Sequence, residues 1–456
     1  WYTYRHYYNE MSSKELVAGP NTVVPDTQGE WTIFKAKLEG ANSGFFIEDE
    51  NGNRYLIKFD GYDYPELTTA ADVISTKIFY AVGYTVPESV ITYFNPQNVT
   101  IGDGVTVEEN GQKRAMTMDD YQAIVAKRPM NEEGKIRALA SKFVDGTPLG
   151  PWNFEGTVKE DPNDRVAHEH RRELRGMRVI SAWLNDTDRR DANTMAVYND
   201  NGYVDHYVQD FGNTLGANGT SIHQPIQGQA YLIDPRYMLV SALSLWGYLT
   251  PWEDIEAEVP YPAVGYFRAD VFKPGRWVPT HPLPPFENMT LRDAFWGAKQ
   301  VMSFSDDDIR AIVKTGQYSN PDAEEYIANV LMERRDKIGR YWFAKMNPLD
   351  KFSAKVQDDK LWLSFEDLSV SSRLVDASDH KYRVKITSES KVLSESHERD
   401  VPSVSIELGD DSFLNDVLRF EIKTVGSEYS GCGKTVTVYI ELNNDNSRVV
   451  GIRREQ

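Results

Sequence analysis

The sequence predicts an α+β chain: a β-rich first section around one strong helix, a mostly helical second section, and a C-terminal β-sandwich. Three observations lead there. Between Trp31 and Phe59, short apolar runs alternate with turn formers, and Asn51-Gly52 is a strong hairpin signal. Apolar residues recur at helical spacing over His170 to Leu184 and through Ala323 to Phe343. From about Asn347-Pro348 onward the spacing changes to period two.

Taken in order, Trp1 to about Glu30 is aromatic and then rich in Pro and Gly, and reads as an arm lying on another surface. Thr32 to Leu38, Gly44 to Glu48 and Arg54 to Phe59 are expected strands. Leu67 to Val82 is an expected helix closed by Gly83. Val86 to Phe94 and Ile136 to Val144 are further strands, and the polar stretch Gly102 to Lys135 between them reads as an irregular insertion. Asp145 to Trp152 is rich in turn formers. Leu174, Met177, Ile180 and Leu184 form one helical stripe, and Ser305 with Asp308 forms a capping box before Ile309. Val259 to Pro285 is Pro-rich and reads as a long loop. Five alternating runs follow, including Leu361/Leu363/Phe365 and Val436/Val438/Ile440, which need a second sheet to bury their apolar faces. The expected organisation is an arm (1–30), a first lobe with an insertion (31–145), a second lobe (146–347), and a sandwich of fibronectin or immunoglobulin type (352–456).

Composition narrows the function classes. Of 456 residues, 40% are hydrophobic and 26% charged, as in folded globular proteins. A formal charge of -19 repels polyanions, so nucleic acid is not an expected partner. The single cysteine, Cys432, permits neither an internal disulfide nor a cysteine-based metal site. No apolar run is long enough to span a bilayer; Tyr237 to Leu249 is too short. A first residue of Trp leads to the expectation of a processed or trimmed chain, with export to the periplasm or cell surface slightly favoured over the cytoplasm. His168-Glu169-His170 lacks the spacing of a zinc motif and reads as a solvated helix start. The arginines from Arg171 to Arg178 read as a salt-bridged helix face.

The most informative segment is Asn185 to Gly212. Thr194 to Tyr198 and Tyr203 to Val208 form a hairpin across Asn199-Asp200-Asn201-Gly202. Pairing Tyr198 with Tyr203 sets Asn193 opposite Val208, two residues short of Asp210. Asp188 sits on the loop feeding the first strand. Two carboxylates and an amide oxygen at one hairpin end suit a hard cation such as Mg²⁺. Phosphoryl transfer needs such a cation, a carboxylate for the acceptor hydroxyl, and a positive side chain on the phosphates. Lys58, on a largely apolar strand, is the candidate for the last. Asp72, expected in the first turn of the next helix, could pair with it. Gly40 and Gly44 bracket a loop whose backbone could approach phosphates.

This ordered set resembles the kinase-like superfamily. Asp188-x-x-x-x-Asn193 followed by Asp210-Phe211-Gly212 looks like the catalytic and metal-binding loops of phosphatidylinositol kinases and protein kinases, and is similar to HipA-type and CotH-type bacterial kinases. Exported bacterial proteins of the same layout are similar too. The resemblance covers roughly Trp31 to Asn347 and implies a two-lobed protein-kinase-like fold ahead of the sandwich. It implies that Asp188 is the catalytic acid/base, and that Asn193 and Asp210 hold Mg²⁺ or Mn²⁺. It further implies that Lys58 binds ATP phosphates, that Asp72 replaces the usual helix Glu, and that Lys142 and Val144 belong to a hinge beside adenine. The pattern departs from the family where Asp186-Thr187, not His-Arg, precedes Asp188, and where the loop has two glycines. Two function classes follow: an ATP-using phosphotransferase with an unidentified acceptor, or a pseudokinase-type scaffold serving assembly at a cell surface.

Overall fold

The computed structural model describes residues 1–37, 44–109, 111–159, 161–233, 235–244, 257–388, 391–395, 398–408, 417–426, 429, 431–443 and 446–455. Leu38 and Gly40 lie outside them. Two compact units are present: Trp1–Asn288 with Ser303–Arg334, and Met289–Met302 with Arg335–Gln456.

The first unit begins with α1 (Ser13–Ala18), whose Ser12/Glu15 capping box satisfies orphan amides at its start. Six strands then form one sheet: β1 (Trp31–Lys37), β2 (Gly44–Glu48), β3 (Arg54–Lys58), β4 (Ser89–Phe94), β5 (Val99–Ile101) and β8 (Ile136–Lys142). The order is β4-β8-β3-β2-β1-β5, antiparallel except where β5 joins β1. Period-two alternation splits the side chains between the two faces. Trp31, Ile33, Phe45, Ile47, Tyr55, Ile57 and Phe59 pack on one face. Tyr121 of α3 (Met118–Val125) joins them, with Val107 of the β6 (Thr106–Glu109)–β7 (Gln112–Ala115) hairpin. The stretch expected to be an irregular insertion is therefore built. Thr117 and Asp120 form a capping box that starts α3, and this buries the apolar residues that polar neighbours mask in the sequence.

The other face carries α2 (Leu67–Val82), which packs Val73 on Ile91 and Leu139. Asp60 Oδ1 accepts the Thr69 amide at 2.8 Å and so caps the start of α2 from outside. Leu67 is the first helical residue, so Asp72 falls in the second turn and not the first as expected. Leu139 is the cross-strand partner of Lys58, and Lys58 is the partner of Gly44. Cross-strand partners point to the same face, so Lys58 projects to the α2 side.

A second, three-stranded sheet follows in the order β11-β10-β9, from β9 (Thr147–Gly150), β10 (Thr194–Tyr198) and β11 (Val204–Val208). The hairpin register differs by one from the expected pairing: Tyr198 pairs with Val204 and Thr194 with Val208. The reason is the turn. Asn199 pairs with Tyr203, and Gly202 takes φ +80°, giving a three-residue loop. A short ladder joins β12 (Ala217–Asn218) to β13 (Ser221–Ile222). The helical part comprises α4 (Arg172–Leu184), α5 (Pro235–Leu243), α6 (Pro284–Glu287), then α7 (Leu291–Val301), α8 (Asp306–Val313) and α9 (Pro321–Phe343). The stripe of α4 is buried as its periodicity requires, and the capping box of α8 forms. No described helix is long and apolar enough to cross a membrane. The α+β class is as expected.

The second unit contains α7 and two antiparallel sheets. One has the order β14 (Leu349–Gln357), β15 (Lys360–Asp367), β18 (Ser403–Glu407). The other runs β17 (Val392–Glu395), β16 (Lys381–Thr387), β19 (Val417–Val425), β20 (Val436–Asn443), β21 (Asn446–Arg454). Leu361, Leu363 and Phe365 share one core with Val384, Phe420 and Val438, which makes the pair a sandwich. Helix α10 (Leu368–Ser371) follows β15. Asp350 receives Lys299 of α7 at 2.6 Å and Arg454 of β21 at 3.1 Å.

Candidate active site

Helix α4 stops at Asn185, which takes a left-handed φ of 52°. The chain turns back, so that the Asp186 amide donates to the Ser181 carbonyl at 2.8 Å. The Asn185 side chain is held by Trp277 Nε1 at 2.9 Å and by His223 Nδ1 at 3.0 Å. This buried polar cluster sets the direction in which Asp186 to Asn193 leaves the helix.

Along that loop Asp188 and Asn193 come together. Asn193 Nδ2 donates to the Asp188 carbonyl at 2.7 Å and to Asp188 Oδ2 at 3.2 Å. Two acceptors at the amide nitrogen fix its orientation, so the Asn193 Oδ1 end is the one available to a cation. Asn213 Nδ2 donates to the same carboxylate oxygen at 2.9 Å, and Arg190 lies 3.4 Å from Asp188 Oδ1.

The hairpin returns to this point. The Gln209 amide donates to the Asn193 carbonyl at 3.1 Å, and the next residue, Asp210, takes φ 60°. A short polar side chain tolerates that conformation better than a bulky one. Arg189 holds it there. Its guanidinium donates to the carbonyls of Gln209 at 2.9 Å and Asp210 at 2.6 Å, and lies 4.8 Å from the centre of the Phe211 ring. Arg189 is itself buried against Asp186 at 2.7 Å. Burial pushes the Asp186 carboxyl up to about 6 against the pull of Arg189.

Lys58 reaches across the sheet to Asp210, Nζ to Oδ1 at 3.0 Å. The ammonium holds the Asp210 carboxyl down at about 2. For Lys58, burial would lower the pKa, but the Asp210 and Asp72 carboxylates outweigh it and the net shift is upward. Solvent still reaches 52% of the Asp210 side chain, so this charge faces the cleft and is partly screened. Asp72 does not pair directly with Lys58 as expected. Its Oδ2 accepts the Phe211 amide at 3.2 Å, and it acts on Lys58 through its field. The helix thus holds the Asp-Phe-Gly segment, and Lys58 is left to the carboxylate that segment presents.

Gly44 lies beside Lys58, where an added Cβ would collide with the Ile57 carbonyl. Lys142 ends β8, its Nζ 3.5 Å from Glu88, and Val144 follows on the connection to β9, which joins the two sheets. Lys58 is thus joined to Asp210 by an ion pair and to Gly44 by strand pairing, and Asp188 to Asn193 by a hydrogen bond, while Asn193 and Asp72 reach Asp210 only through its chain neighbours Gln209 and Phe211; Lys142 ends β8 and Val144 sits on the connector. Arg189, Asp186, Asn213 and His223 are the residues that sequence reading passed over. Arg189 and Asn213 directly follow Asp188 and Gly212, and that adjacency was the available signal.

His168 is not solvated. It is buried, bonds Asp164 Oδ2 at 2.7 Å and meets the Trp1 ring edge-on, because the N-terminal arm folds back over this region. Arg171 does form the expected ion pairs, with Asp164 at 2.6 Å and Glu173 at 3.5 Å. Arg178 instead donates to the carbonyls of Phe286 and Trp277.

Among the described residues no group of three or more His, Cys, Asp or Glu is arranged to hold a metal. The donor set here is one ionised carboxylate, one oriented amide oxygen and a second carboxylate tied to that amide. It fits a hard cation that completes its shell with water and ligand oxygens.

No known family's sequence profile matches the chain, and no curated protein matches it. Solved structures do. The chain is similar to the Helicobacter pylori proinflammatory kinase CtkA at 13% identity and a TM-score of 0.36, over 71% of this chain and 99% of that one. It is similar to the Golgi casein kinase with Mn/ADP bound at 10% identity and a TM-score of 0.31, over 72% and 76%. A second structure of the Golgi casein kinase has 10% identity and a TM-score of 0.30.

Proposed function

We propose that the chain is an atypical kinase-like phosphotransferase that uses ATP with Mg²⁺ or Mn²⁺ on an acceptor yet to be identified. The observation that carries the reading is the Lys58–Asp210 ion pair at 3.0 Å, formed between residues 152 positions apart, at the hairpin end that also gathers Asn193 and Asp188. In this reading Asp210 and the Asn193 amide oxygen hold the metal, and Lys58 turns its ammonium to the phosphates. The β2 backbone at Gly44, paired with Lys58, lies beside them, and the segment through Lys142 and Val144 borders the base. The metal, when bound, neutralises charge on the transferring phosphoryl oxygens. Asp188 orients the acceptor hydroxyl and takes up its proton at a carboxylate oxygen.

A second reading, a catalytically inactive scaffold, is favoured by one feature. Asp188 is already tied by Asn193, Asn213 and Arg190, as a purely structural carboxylate would be.

Two substitutions separate the readings. Asp188→Asn keeps the shape and removes the base, so ATP turnover should fall by roughly 10²–10⁴ with nucleotide binding nearly intact. Asp210→Asn removes the charge beside the cation and should abolish the Mg²⁺-dependent thermal shift itself. At 100-fold the dissociation constant, wild type should gain about 2.7 kcal/mol from Mg·ATP. No shift at millimolar nucleotide leaves the scaffold. Equal trace turnover in wild type and Asp188→Asn removes the enzyme reading.

A further inference from the structure

Lys77 lies on α2 with 3% of its surface exposed. Its ammonium donates to the Ala18 carbonyl at 3.1 Å, and among the described residues no carboxylate pairs with it. Burial alone pushes it down to about 8. Lysines are almost never buried without an acidic partner, because desolvating an unpaired charge is costly. The nearest acid on its own helix, Asp72, is five residues back, on the far side, and engaged with the Phe211 amide.

Lys77 lines a cleft of about 720 Å³ between α1, α2, β4 and α8. That volume is within the roughly 300–1,000 Å³ of small-molecule sites. The walls are mainly apolar: Val17, Val73, Val90 and Ile91. Arg310, Lys314 and Asp307 also line it. Arg310 is paired with Glu325 at 3.0 Å and Lys314 is exposed, so among the described residues lining the cleft the buried charge without a counterion is that of Lys77.

We infer that this cleft is a binding site for a single-chain amphiphile with a singly charged anionic head, of the alkyl carboxylate class, whose head meets Lys77 and whose tail lies along Val73, Val90 and Ile91. One anion neutralises one buried ammonium, and the apolar walls take the chain. The site backs onto the catalytic candidate. Val73 and Lys77 face the cleft, while Asp72 holds the Phe211 amide and Ser75 Oγ meets Thr214 Oγ1 at 2.7 Å on the other side of α2. The inference does not depend on phosphoryl transfer, since binding can be read without nucleotide.

The test is calorimetric titration of the full chain with decanoate, 1-decanol and decyltrimethylammonium, on wild type, Lys77→Met and Ala311→Trp. Decanoate should bind wild type with one-to-one stoichiometry and about tenfold or more tighter than decanol, the margin of a charged hydrogen bond. The quaternary ammonium should not bind. Lys77→Met should bring decanoate down to the decanol level and leave decanol unchanged. Ala311→Trp, a half-exposed position on α8, should block both ligands with Lys77 still in place. Equal binding of decanoate and decanol to wild type overturns the site. So does a Lys77→Met variant that melts lower yet keeps its decanoate affinity, the result expected if Lys77 only caps α1. If Lys77→Met does not fold, Ala311→Trp decides alone: undiminished one-to-one decanoate binding overturns the inference.

Discussion

Arg189 and Arg190 are adjacent in one motif and stand in opposite surroundings. The Arg189 side chain is fully buried and the Arg190 side chain is 54% exposed. Removing Arg189 leaves Asp186 as an unpaired charge in the interior and frees the Gln209 and Asp210 carbonyls. Arg189→Met should therefore destabilise by about 3–5 kcal/mol, and Arg190→Met by less than about 1 kcal/mol. The sign of the pH dependence follows from Asp186. Its folded pKa, about 6, is above the ordinary carboxylate value. A raised carboxyl costs stability as pH climbs from its unfolded value through its folded one, because the folded state binds the proton more tightly. Without Arg189 that window extends upward, so the loss in Arg189→Met should be larger at pH 7 than at pH 5. Urea unfolding at the two pH values measures it; a pH-independent loss would mean that Asp186 does not face Arg189. That Asp188 and Asn193 come together, with Asp210 one residue beyond the amide that meets Asn193, was legible from the hairpin spacing. The role of Arg189 was not, because nothing local distinguishes an arginine that donates to distant carbonyls from one in solvent.

At the scale of elements, the strands and helices follow from periodicity, and the misreadings come from turns and caps. The β10–β11 register slips by one because Gly202 closes a three-residue loop. The slip is harmless to the site, since the Asn193 carbonyl still meets the Gln209 amide. Two glycines near the first sheet test the strand geometry. Gly44 is required by close approach of β2 to β3, whereas Gly52 is required only by its φ of +79°, with open space around it. Gly44→Ala should cost about 1–3 kcal/mol through overpacking and shift Lys58, which weakens the Mg·ATP thermal shift. Gly52→Ala should cost about 1–2 kcal/mol from backbone strain and leave that shift unchanged. Parallel melts with and without nucleotide check both, and equal nucleotide responses in the two variants would separate Gly44 from the site.

For the whole molecule, the C-terminal unit reaches further back along the chain than its change in periodicity. The change in periodicity suggests a sandwich from residue 352, whereas the unit also gathers Leu349, Asp350 and helix α7. A fragment of residues 352–456 loses Leu349 from the core, and loses Asp350, which neutralises Lys299 and Arg454. It should unfold at lower urea, and with a smaller slope, than a fragment of residues 335–456, which keeps Leu349 and the Asp350–Arg454 pair. Identical midpoints would show that the sandwich stands without those contacts. Which residues alternate, which carry charge and which can ligate a cation are properties of the chain itself. Periodicity of 2 or 3.6 is enough to place elements, and the spacing of Asp188, Asn193 and Asp210 is enough to nominate a site. Tertiary structure alone decided that Lys58 meets Asp210 and not Asp72, that Arg189 holds the Asp210 backbone, and that Lys77 is buried with no acid beside it among the described residues. Each depends on which distant groups are brought within about 3 Å of one another, where the energy of a charge is set by its neighbours and its loss of water.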